Sequence, residues 1–389
     1  MKIQSLSVKY STRNICIQDV EFNNGLSLLV GVSGVGKTQI LDAICDIKKI
    51  ALGEAVNAFS WDITFSLNED QYLWSGEFGG IEIDALTRVK NFFKDTPSGK
   101  SNDSYIIRED LYLNNEKIIQ RQMDQIIFDD KETVKLPQNE SCISLLKQER
   151  KVNPVNQAFQ KIKLITTLDE RPLSNIALEK NLANELSNFD ALRNLSSLNH
   201  HILEKLYLCQ TLFDFEFNEI KDAYTEIFPF VTDLDIVKTE LNLSIQDNAV
   251  VNQFMFRIKE DGVENWIYQE EMSSGMKKVL FHIAYLSLSP KGTIFLIDEF
   301  ENGFGVNCID AISHWIMNPA LKYQFIITSH HPYIINAVPS RRWKIVTRHH
   351  SIIQAYEATD YLDSSHHEAF IKLINLPIYK LGASANIDK

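Results

Sequence analysis

One glycine-rich segment, residues 31–38, constrains the fold of this chain more than any other feature. It reads Gly-Val-Ser-Gly-Val-Gly-Lys-Thr and matches the pattern G-x-x-x-x-G-K-[ST]. The apolar run Leu26–Val30 precedes it, and apolar residues at helical spacing follow from residue 37 to about residue 52. A strand, a glycine loop and a helix in this order predict a phosphate-binding loop within an α/β fold.

The residue types in this loop suit a triphosphate bound with Mg²⁺. Glycines let backbone N–H groups close around phosphate oxygens, and the amino terminus of the helix adds a favourable dipole. Lys37 can neutralise the β- and γ-phosphates, and the Thr38 hydroxyl can bind the metal. We therefore predict ATP and Mg²⁺ as ligands, with the nucleotide held by Gly31, Ser33, Gly34, Val35, Gly36, Lys37 and Thr38.

Two carboxylates follow a second apolar run. Residues 293–297 are apolar after Thr293, and Asp298 and Glu299 come directly afterwards. Such a pair usually marks a solvated strand end, but downstream of a phosphate loop it fits the carboxyl edge of a parallel sheet. Phosphoryl transfer needs neutralised charge and an oriented nucleophile. We predict that Asp298 holds Mg²⁺ through water and that Glu299 polarises the attacking water.

Two further motifs carry a family resemblance. Residues 272–276 read Met-Ser-Ser-Gly-Met at the start of a predicted helix, and they resemble the Leu-Ser-Gly-Gly-Gln signature of ABC-type ATPases, with Ser273 and Gly275 retained. Residues 325–332 place His330 after an apolar strand, as in the histidine switch of the same class. Residues 300–304 are similar to the loop that follows the catalytic glutamate in the RecF, SMC and OLD-like branch.

The resemblance implies an ABC-like P-loop ATPase core with a mixed central sheet and an inserted, mainly helical lobe. It also implies a head-to-tail homodimer or higher homo-oligomer. There, Ser273 and Gly275 of one subunit close over the γ-phosphate held by Lys37 of the other. Glu299, His330 and Lys37 are the implied catalytic residues. We expect residues 1–90 to form the first part of the core, 91–230 the irregular and helical insertion, and 231–389 the second part of the core.

Three local interpretations stay open. The signature could instead be a plain serine cap, with Lys277 and Lys278 on a solvated helix face. The glutamine that the class uses between its two nucleotide motifs is either Gln125 or Gln148. A basic cluster could bind a partner or a phosphate, or it could belong to a solvated edge strand. The cluster comprises Arg341, Arg342, Lys344 and Arg348.

The remaining pattern predicts further elements. Strands are expected at 59–67 and 71–78 as a hairpin, at 231–245 and 253–259, and at 343–347 and 352–356. Residues 87–154 look irregular, residues 173–227 look helical, and a last helix is expected at about 365–374. Of the four tandem histidine pairs, only the pair containing His330 has a functional context. The other three are expected to be structural: His200–His201, His349–His350 and His366–His367.

Composition limits the partners. Basic residues number 39 against 51 acidic ones, a formal net charge of −12, so direct nucleic-acid binding is not supported by the charge of the whole chain. The five cysteines are dispersed without a CxxC pair, which indicates a reducing compartment. No apolar run approaches the roughly 20 residues that span a bilayer, and we expect a cytoplasmic protein without a membrane role.

The functional hypothesis is an ATPase that acts as sensor or scaffold and controls a separate effector such as a nuclease. Only 59 residues follow His330, too few for the nuclease lobe of OLD-type proteins, and Asp233 and Asp235 precede the Asp298 strand, so their order is wrong for it. The chain resembles the stand-alone ATPases of anti-phage defence systems such as PARIS, Septu and retrons, with PARIS-type AriA the nearest. Alternatives are a RecF-like DNA-repair ATPase that binds nucleic acid directly, or a nucleotide-gated module with little turnover.

Overall fold

The chain forms two compact units in the computed structural model. The described residues are 1–80, 104–123, 125–165, 195–196, 201–242, 250–318, 322–362, 369–380 and 382. The first unit comprises Met1–Leu164, Gly292–Phe300 and Lys322–Lys389, and the second comprises Ile165–Lys291 and Glu301–Leu321. The domain division expected from the sequence, with boundaries at 90 and 230, stays a prediction. Much of the helical pattern expected from residue 173 onwards lies outside the described residues.

Seventeen strands lie within the described residues. They are β1 Lys2–Tyr10, β2 Ile15–Glu21, β3 Leu26–Val30, β4 Phe59–Leu67, β5 Asp70–Phe78, β6 Ile106–Leu113, β7 Glu116–Gln122, β8 Gln125–Phe128, β9 Lys131–Glu132, β10 Ile162–Ile165, β11 Val231–Asn242, β12 Val250–Glu260, β13 Ile267–Tyr268, β14 Ile294–Ile297, β15 Gln324–Thr328, β16 Trp343–His349 and β17 Ile352–Glu357. Fourteen form one sheet in the order β10-β14-β15-β3-β16-β17-β2-β1-β4-β5-β6-β7-β8-β9, and β11-β12-β13 form another.

Ten α-helices lie within the same residues. They are α1 Lys37–Ala51, α2 Cys142–Leu145, α3 Asn153–Gln160, α4 Ile202–Leu212, α5 Asp214–Ile227, α6 Ser274–Ser287, α7 Val306–Ile316, α8 Pro332–Ala337, α9 Ala369–Asn375 and α10 Pro377–Lys380. No helix in the described part of the chain is long and apolar enough to cross a membrane.

Four parallel strands form the centre of the first unit. In the order β14, β15, β3 and β16, each pairs in parallel with the next, and every residue of β3, β14 and β15 is buried. Apolar runs without alternation are typical of strands covered on both faces. Because the strands are parallel, their carboxyl ends meet at one edge of the sheet, and the loops that begin at residues 31, 298 and 329 all start there.

The predicted hairpin is confirmed as β4 and β5. These strands pair antiparallel from Ser60 to Leu67, and Asn68 takes a positive φ of 56° in the turn, a conformation that asparagine tolerates better than most residues. Phe159 of α3 packs edge-on against Phe65 and Trp74, with ring centroids 5.4 and 5.3 Å apart. These aromatic contacts attach α3 to the antiparallel part of the sheet.

The expectation of an irregular segment at 87–154 is wrong for its described strands. Residues 106–132 form β6 to β9, a meander that extends the sheet beyond β5. Buried polar residues interrupt the apolar alternation of these strands: Glu109 and Arg121 are both fully buried, and Asp110 is nearly so. A pattern search for apolar periodicity therefore misses them.

Hydrogen bonds of the buried Glu109 and Arg121 hold the strands β5 to β7 against the start of α2. The Glu109 carboxylate accepts hydrogen bonds from Trp74 Nε1 at 3.0 Å, Ser141 Oγ at 2.6 Å and the backbone N–H of Cys142 at 2.8 Å. Arg121 donates to the carbonyl oxygens of Pro137 and Glu140, both at 2.7 Å. Buried polar groups need such partners, so this network connects β5, β6 and β7 to the start of α2.

The second unit packs helices against the three-stranded sheet. The inner face of β11 and β12 is apolar, and Phe256 contacts Phe281 of α6 edge-on at 6.0 Å. The Gln210 side chain of α4 receives a hydrogen bond from the backbone N–H of Ile236 and donates one to Asp235 Oδ1, both at 2.8 Å. The amide therefore connects α4 directly to β11.

Replacing Glu109 with leucine should destabilise the first unit by about 3 kcal/mol, because three buried donors lose their acceptor together. Urea unfolding followed by tryptophan fluorescence measures this loss. The matched control is Glu116→Leu on the exposed start of β7, which should change stability by less than about 0.5 kcal/mol. Equal effects of the two substitutions would contradict the role given to Glu109.

Candidate nucleotide-binding site

The phosphate loop connects β3 to α1 through backbone conformations that favour glycine. Gly34 and Gly36 have φ values of +85° and +101°, and Gly36 occupies the N-cap position of α1. Ser33 and Gly34 are exposed, whereas Val35 is fully buried. The buried valine anchors the loop, and the first N–H groups of α1 are left without partners inside the helix. This geometry suits an anion.

Two glycines of the loop lie close to neighbouring strands. A Cβ added to Gly31 would be 2.6 Å from the carbonyl oxygen of Val346 on β16. One added to Gly36 would be 2.4 Å from Cδ1 of Ile353 on β17. The adjacent strands therefore leave no room for a side chain at Gly31 without a backbone shift, and they determine the path of the loop.

Lys37 lies inside this loop. Its side chain is buried, and Nζ donates hydrogen bonds to the carbonyl oxygens of Gly31 at 2.9 Å and Val32 at 3.1 Å. These contacts hold the ammonium group beside the exposed turn at Ser33 and Gly34. A lysine in this position can neutralise phosphate oxygens as a point charge.

The structure brings Thr38 and Asp298 together. Thr38 Oγ1 donates to the Asp298 carboxylate, at 2.9 Å from Oδ2 and 3.2 Å from Oδ1. Asp298 is the first residue after β14, and Thr38 is the second residue of α1. A hydroxyl and a carboxylate are oxygen ligands of the kind that Mg²⁺ prefers. This donor set therefore fits the predicted metal.

Glu299 is held in a strained backbone conformation. Its φ is +45°, in the left-handed region that costs a non-glycine residue about 1–2 kcal/mol. Its backbone N–H donates to Thr328 Oγ1 at 2.8 Å, and the same hydroxyl donates to Asp298 Oδ1 at 2.7 Å. Sequence reasoning gave Thr328 no role. The one feature of the sequence that could have indicated Thr328 is its hydroxyl at the end of an apolar strand, two residues before His330.

His330 lies at the same edge of the sheet. It follows β15, which pairs with both β14 and β3, and it is half-buried. The neighbouring His331 caps α8, since its ring nitrogen accepts the N–H of Tyr333 at 3.3 Å. The two histidines therefore differ in setting: His331 has a structural contact, and His330 lies beside the strand ends that carry Asp298 and the phosphate loop.

The signature segment lies in the second unit. Ser273 caps α6, with its Oγ accepting the N–H of Met276 at 3.2 Å. A Cβ on Gly275 would lie 3.1 Å from the carbonyl oxygen of Gly303, so the helix start packs closely on the loop after Glu299. The serine-cap interpretation is thus correct as local structure. A solvated face is wrong for Lys278, which is 9% exposed and donates to the Asn302 carbonyl.

His282, one turn after Lys278, completes this packing. Its Nδ1 lies 2.8 Å from the Lys278 carbonyl oxygen, and its ring meets the Phe304 ring edge-on at 5.0 Å. Burial lowers the pKa of His282 to about 4, and the Lys278 charge adds to this effect while the backbone contact opposes it. The imidazole is therefore neutral near pH 7.

Other candidates fall into structural roles or stay open. Asp233 and Asp235 form ion pairs with Lys221 and Arg257, at 2.6 and 2.7 Å. In the described chain no group of three or more His, Cys, Asp or Glu residues could hold a metal. His201 caps α4, and His200 and the pair 366–367 lie outside the described residues.

The basic cluster is not on an edge strand. β16 lies between β3 and β17, which corrects the solvated-edge interpretation. Lys344 is 2% exposed and forms an ion pair with Glu357, while Arg348 Nε donates to the His350 carbonyl at 3.0 Å. Arg341 and Arg342 lie in a short 3-10 helix before the strand. Lys344 is therefore not part of a free basic surface, whereas Arg341 is exposed.

The choice of glutamine stays unresolved. Gln125 begins β8, near the far end of the strand order from β3. Gln148 follows α2. Both side chains are exposed, and neither position is favoured over the other.

The fold is that of an ABC-type P-loop ATPase. The chain is similar to an SmcHead bound to the C-winged helix domain of ScpA, with 13% identity, a TM-score of 0.52 and coverage of 92% of this chain and 98% of that one. A Pyrococcus furiosus Smc head with an extended coiled coil, bound to the C-terminal domain of ScpA, has 12% identity, a TM-score of 0.46 and coverage of 91% and 96%. The SMC head domain from Thermotoga maritima has 13% identity, a TM-score of 0.42 and coverage of 92% and 99%.

The sequence also matches a model of a protein family. The model AAA_21, described as "AAA domain, putative AbiEii toxin, Type IV TA system", matches residues 26–336, and the chain belongs to this family. No curated protein matches the sequence. Family and fold together indicate an ATPase of the ABC-like P-loop type.

The second unit should lose stability as the pH falls from about 6.5 to about 4, because His282 takes up a proton more readily when unfolded than when buried. Its contribution is complete above pH 6.5 and decreases as pH falls through that window. His282→Gln should flatten this dependence in chemical unfolding at several pH values. His314→Gln serves as the control, and an unchanged pH dependence in His282→Gln would show that the buried imidazole does not cause it.

Proposed function

We propose that the chain binds ATP with Mg²⁺ and hydrolyses it at a site shared between two copies. The observation that carries this proposal is the hydrogen bond of 2.9 Å between Thr38 Oγ1 and the Asp298 carboxylate, with Glu299 next in the chain. It joins the phosphate loop to the carboxylate strand in one oxygen-rich site. The match to an ATPase family supports the same chemistry.

Each proposed role follows from position and charge. The loop N–H groups and Lys37 bind the phosphates, and Thr38 and Asp298 hold Mg²⁺. The metal supplies charge neutralisation for the transferred phosphoryl group. Glu299 orients and polarises the attacking water, and His330, at the adjacent strand end, contacts the γ-phosphate.

The second copy supplies the other side of the site. The amino terminus of α6, with Ser273 as its cap, presents backbone N–H groups that suit an anion. Gly275 lets this end of the helix pack closely against the carbonyl oxygen of Gly303. We propose that this surface of one subunit closes on the γ-phosphate bound by Lys37 of its partner, in a homodimer or a higher homo-oligomer.

The proposed biological role is control of a separate effector protein, such as a nuclease, in bacterial anti-phage defence in the cytoplasm. Its support is the description of the matched family as a putative AbiEii toxin of a Type IV toxin–antitoxin system. The ion-paired Asp233 and Asp235 are already used structurally, which supports placing any cutting activity in another protein. Within that set of defence ATPases, we propose a role similar to that of PARIS-type AriA.

Mixing two inactive variants tests the shared site. Lys37→Ala and Ser273→Ala should each be inactive alone, yet an equimolar mixture should regain about a quarter of the original ATPase activity, since half of the dimers are mixed and each contains one intact site. Phosphate release measures this. Ser274→Ala alone, at the neighbouring exposed serine, is the control and should stay active. A mixture no more active than its components would exclude a shared site.

Glu299→Gln separates an enzyme from a nucleotide-gated module. The substitution should lower kcat by about 10²–10⁴-fold, because the amide cannot act as a base, while ATP affinity changes little. Phosphate release and calorimetric ATP titration measure the two quantities. The control, Glu264→Gln, changes an exposed acid in the second unit. If turnover of the unaltered chain is already negligible, the chain is not an ATPase; equal, measurable turnover in both would instead show that Glu299 is not the base.

A further inference from the structure

Thr328 occupies a central place beside the carboxylates. It is the last residue of β15, and its side chain is 1% exposed. The parallel register pairs Ile297 with Ile327, so the next residues, Asp298 and Thr328, lie beside each other where the two strands end. The other neighbour of β15 is β3, which leads into the phosphate loop.

The Thr328 hydroxyl contacts both carboxylate residues at once. It donates to Asp298 Oδ1 at 2.7 Å and accepts the backbone N–H of Glu299 at 2.8 Å. A hydroxyl has one donor and two acceptor positions, so it can do both together. The Thr328 carbonyl also accepts the N–H of Phe300 at 3.0 Å. Three consecutive residues, 298 to 300, are thereby attached to the end of one strand.

These contacts set two separate features of the site. Asp298 is held by two hydroxyls, with Thr328 on Oδ1 and Thr38 nearest to Oδ2, which fixes the plane of the carboxylate. Glu299 has a φ of +45°, and its N–H bond to Thr328 stabilises that unfavourable conformation. The direction in which the Glu299 side chain leaves the backbone therefore depends on the Thr328 hydroxyl.

Threonine is suited to this task by its shape as well as its hydroxyl. Its branched Cβ restricts χ1, so the buried γ-methyl group keeps the hydroxyl facing the carboxylates. Serine would keep both hydrogen bonds with a less restricted rotamer, and valine would keep the shape and lose both bonds. The two substitutions therefore separate the hydroxyl from the packing.

We propose that Thr328 is a positioning residue of the ATP site, which orients Asp298 for Mg²⁺ and Glu299 for the attacking water. This inference rests on the proposed function and extends it to a residue of the 325–332 segment that the motif itself gives no role. In this role Thr328 acts through the two carboxylate residues that its hydroxyl contacts.

The test compares Thr328→Val, Thr328→Ser and the control Thr347→Val in the full chain. Thr347 is another buried threonine of the same sheet, on β16. Steady-state phosphate release gives kcat, the KM for ATP and the half-saturating Mg²⁺ concentration, and urea unfolding gives the stability of each variant.

Thr328→Val should lower kcat at least about tenfold and raise the half-saturating Mg²⁺ concentration, with a smaller change in KM, because charge-assisted hydrogen bonds to the carboxylate region are lost. Thr328→Ser should stay within about threefold of the unaltered chain. Thr347→Val should change stability alone. Thr328→Val with unchanged kcat and Mg²⁺ dependence, or Thr328→Ser as defective as Thr328→Val, would overturn the proposal.

Failure of the proposed function is distinguishable from failure of this inference. If the unaltered chain does not hydrolyse ATP, calorimetric titration of ATP with Mg²⁺ and with EDTA still measures how much the metal strengthens binding. Thr328→Val should lose that Mg²⁺-dependent gain and Thr328→Ser should keep it. Equal gains in both variants, or no gain in the unaltered chain, would exclude the positioning role independently of turnover.

Discussion

The carboxylate of Asp298 accepts hydrogen bonds from two threonine hydroxyls, and much of the first unit depends on that arrangement. Thr38 comes from α1 and Thr328 from the end of β15, so one side chain connects a helix and two strands. Asp298 is half-buried, and the two hydroxyls replace part of the water that would otherwise solvate its carboxylate. The same oxygens that hold the elements together are those a divalent cation would share.

The parallel strands make this arrangement possible. Parallel pairing of β14, β15 and β3 places three loops at one edge, and ligands of open α/β sheets bind at such edges. The antiparallel strands from β4 to β9 widen the sheet on the other side. The first unit thus combines a small group of strand ends with a large supporting sheet, in which a buried polar group such as Glu109 has its hydrogen-bond partners within the protein.

Local patterns predicted the strands and the helix around Lys37 and Asp298 better than they predicted the antiparallel strands beside them. The segment around Lys37 and the pair at Asp298 are contiguous in sequence, so their strands and helix follow from periodicity. The meander at residues 106–132 was missed because Glu109 and Arg121 are buried charged residues whose partners are distant in sequence. The burial of Lys278 likewise depends on the loop at 302–304. The interior position of β16 depends on its pairing with β3. Both contacts join segments that are distant in sequence, so the pattern within one segment does not predict them.

The path of the phosphate loop depends on residues far along the chain. Gly31 and Gly36 are shaped by Val346 on β16 and Ile353 on β17, which are synthesised roughly 300 residues after the loop, and such distant contacts form late because loop closure costs entropy. A chain still emerging from the ribosome therefore has the glycine motif without the surfaces that shape it. The conformation of the loop is therefore complete only once β16 and β17 have been synthesised and have paired with their neighbours.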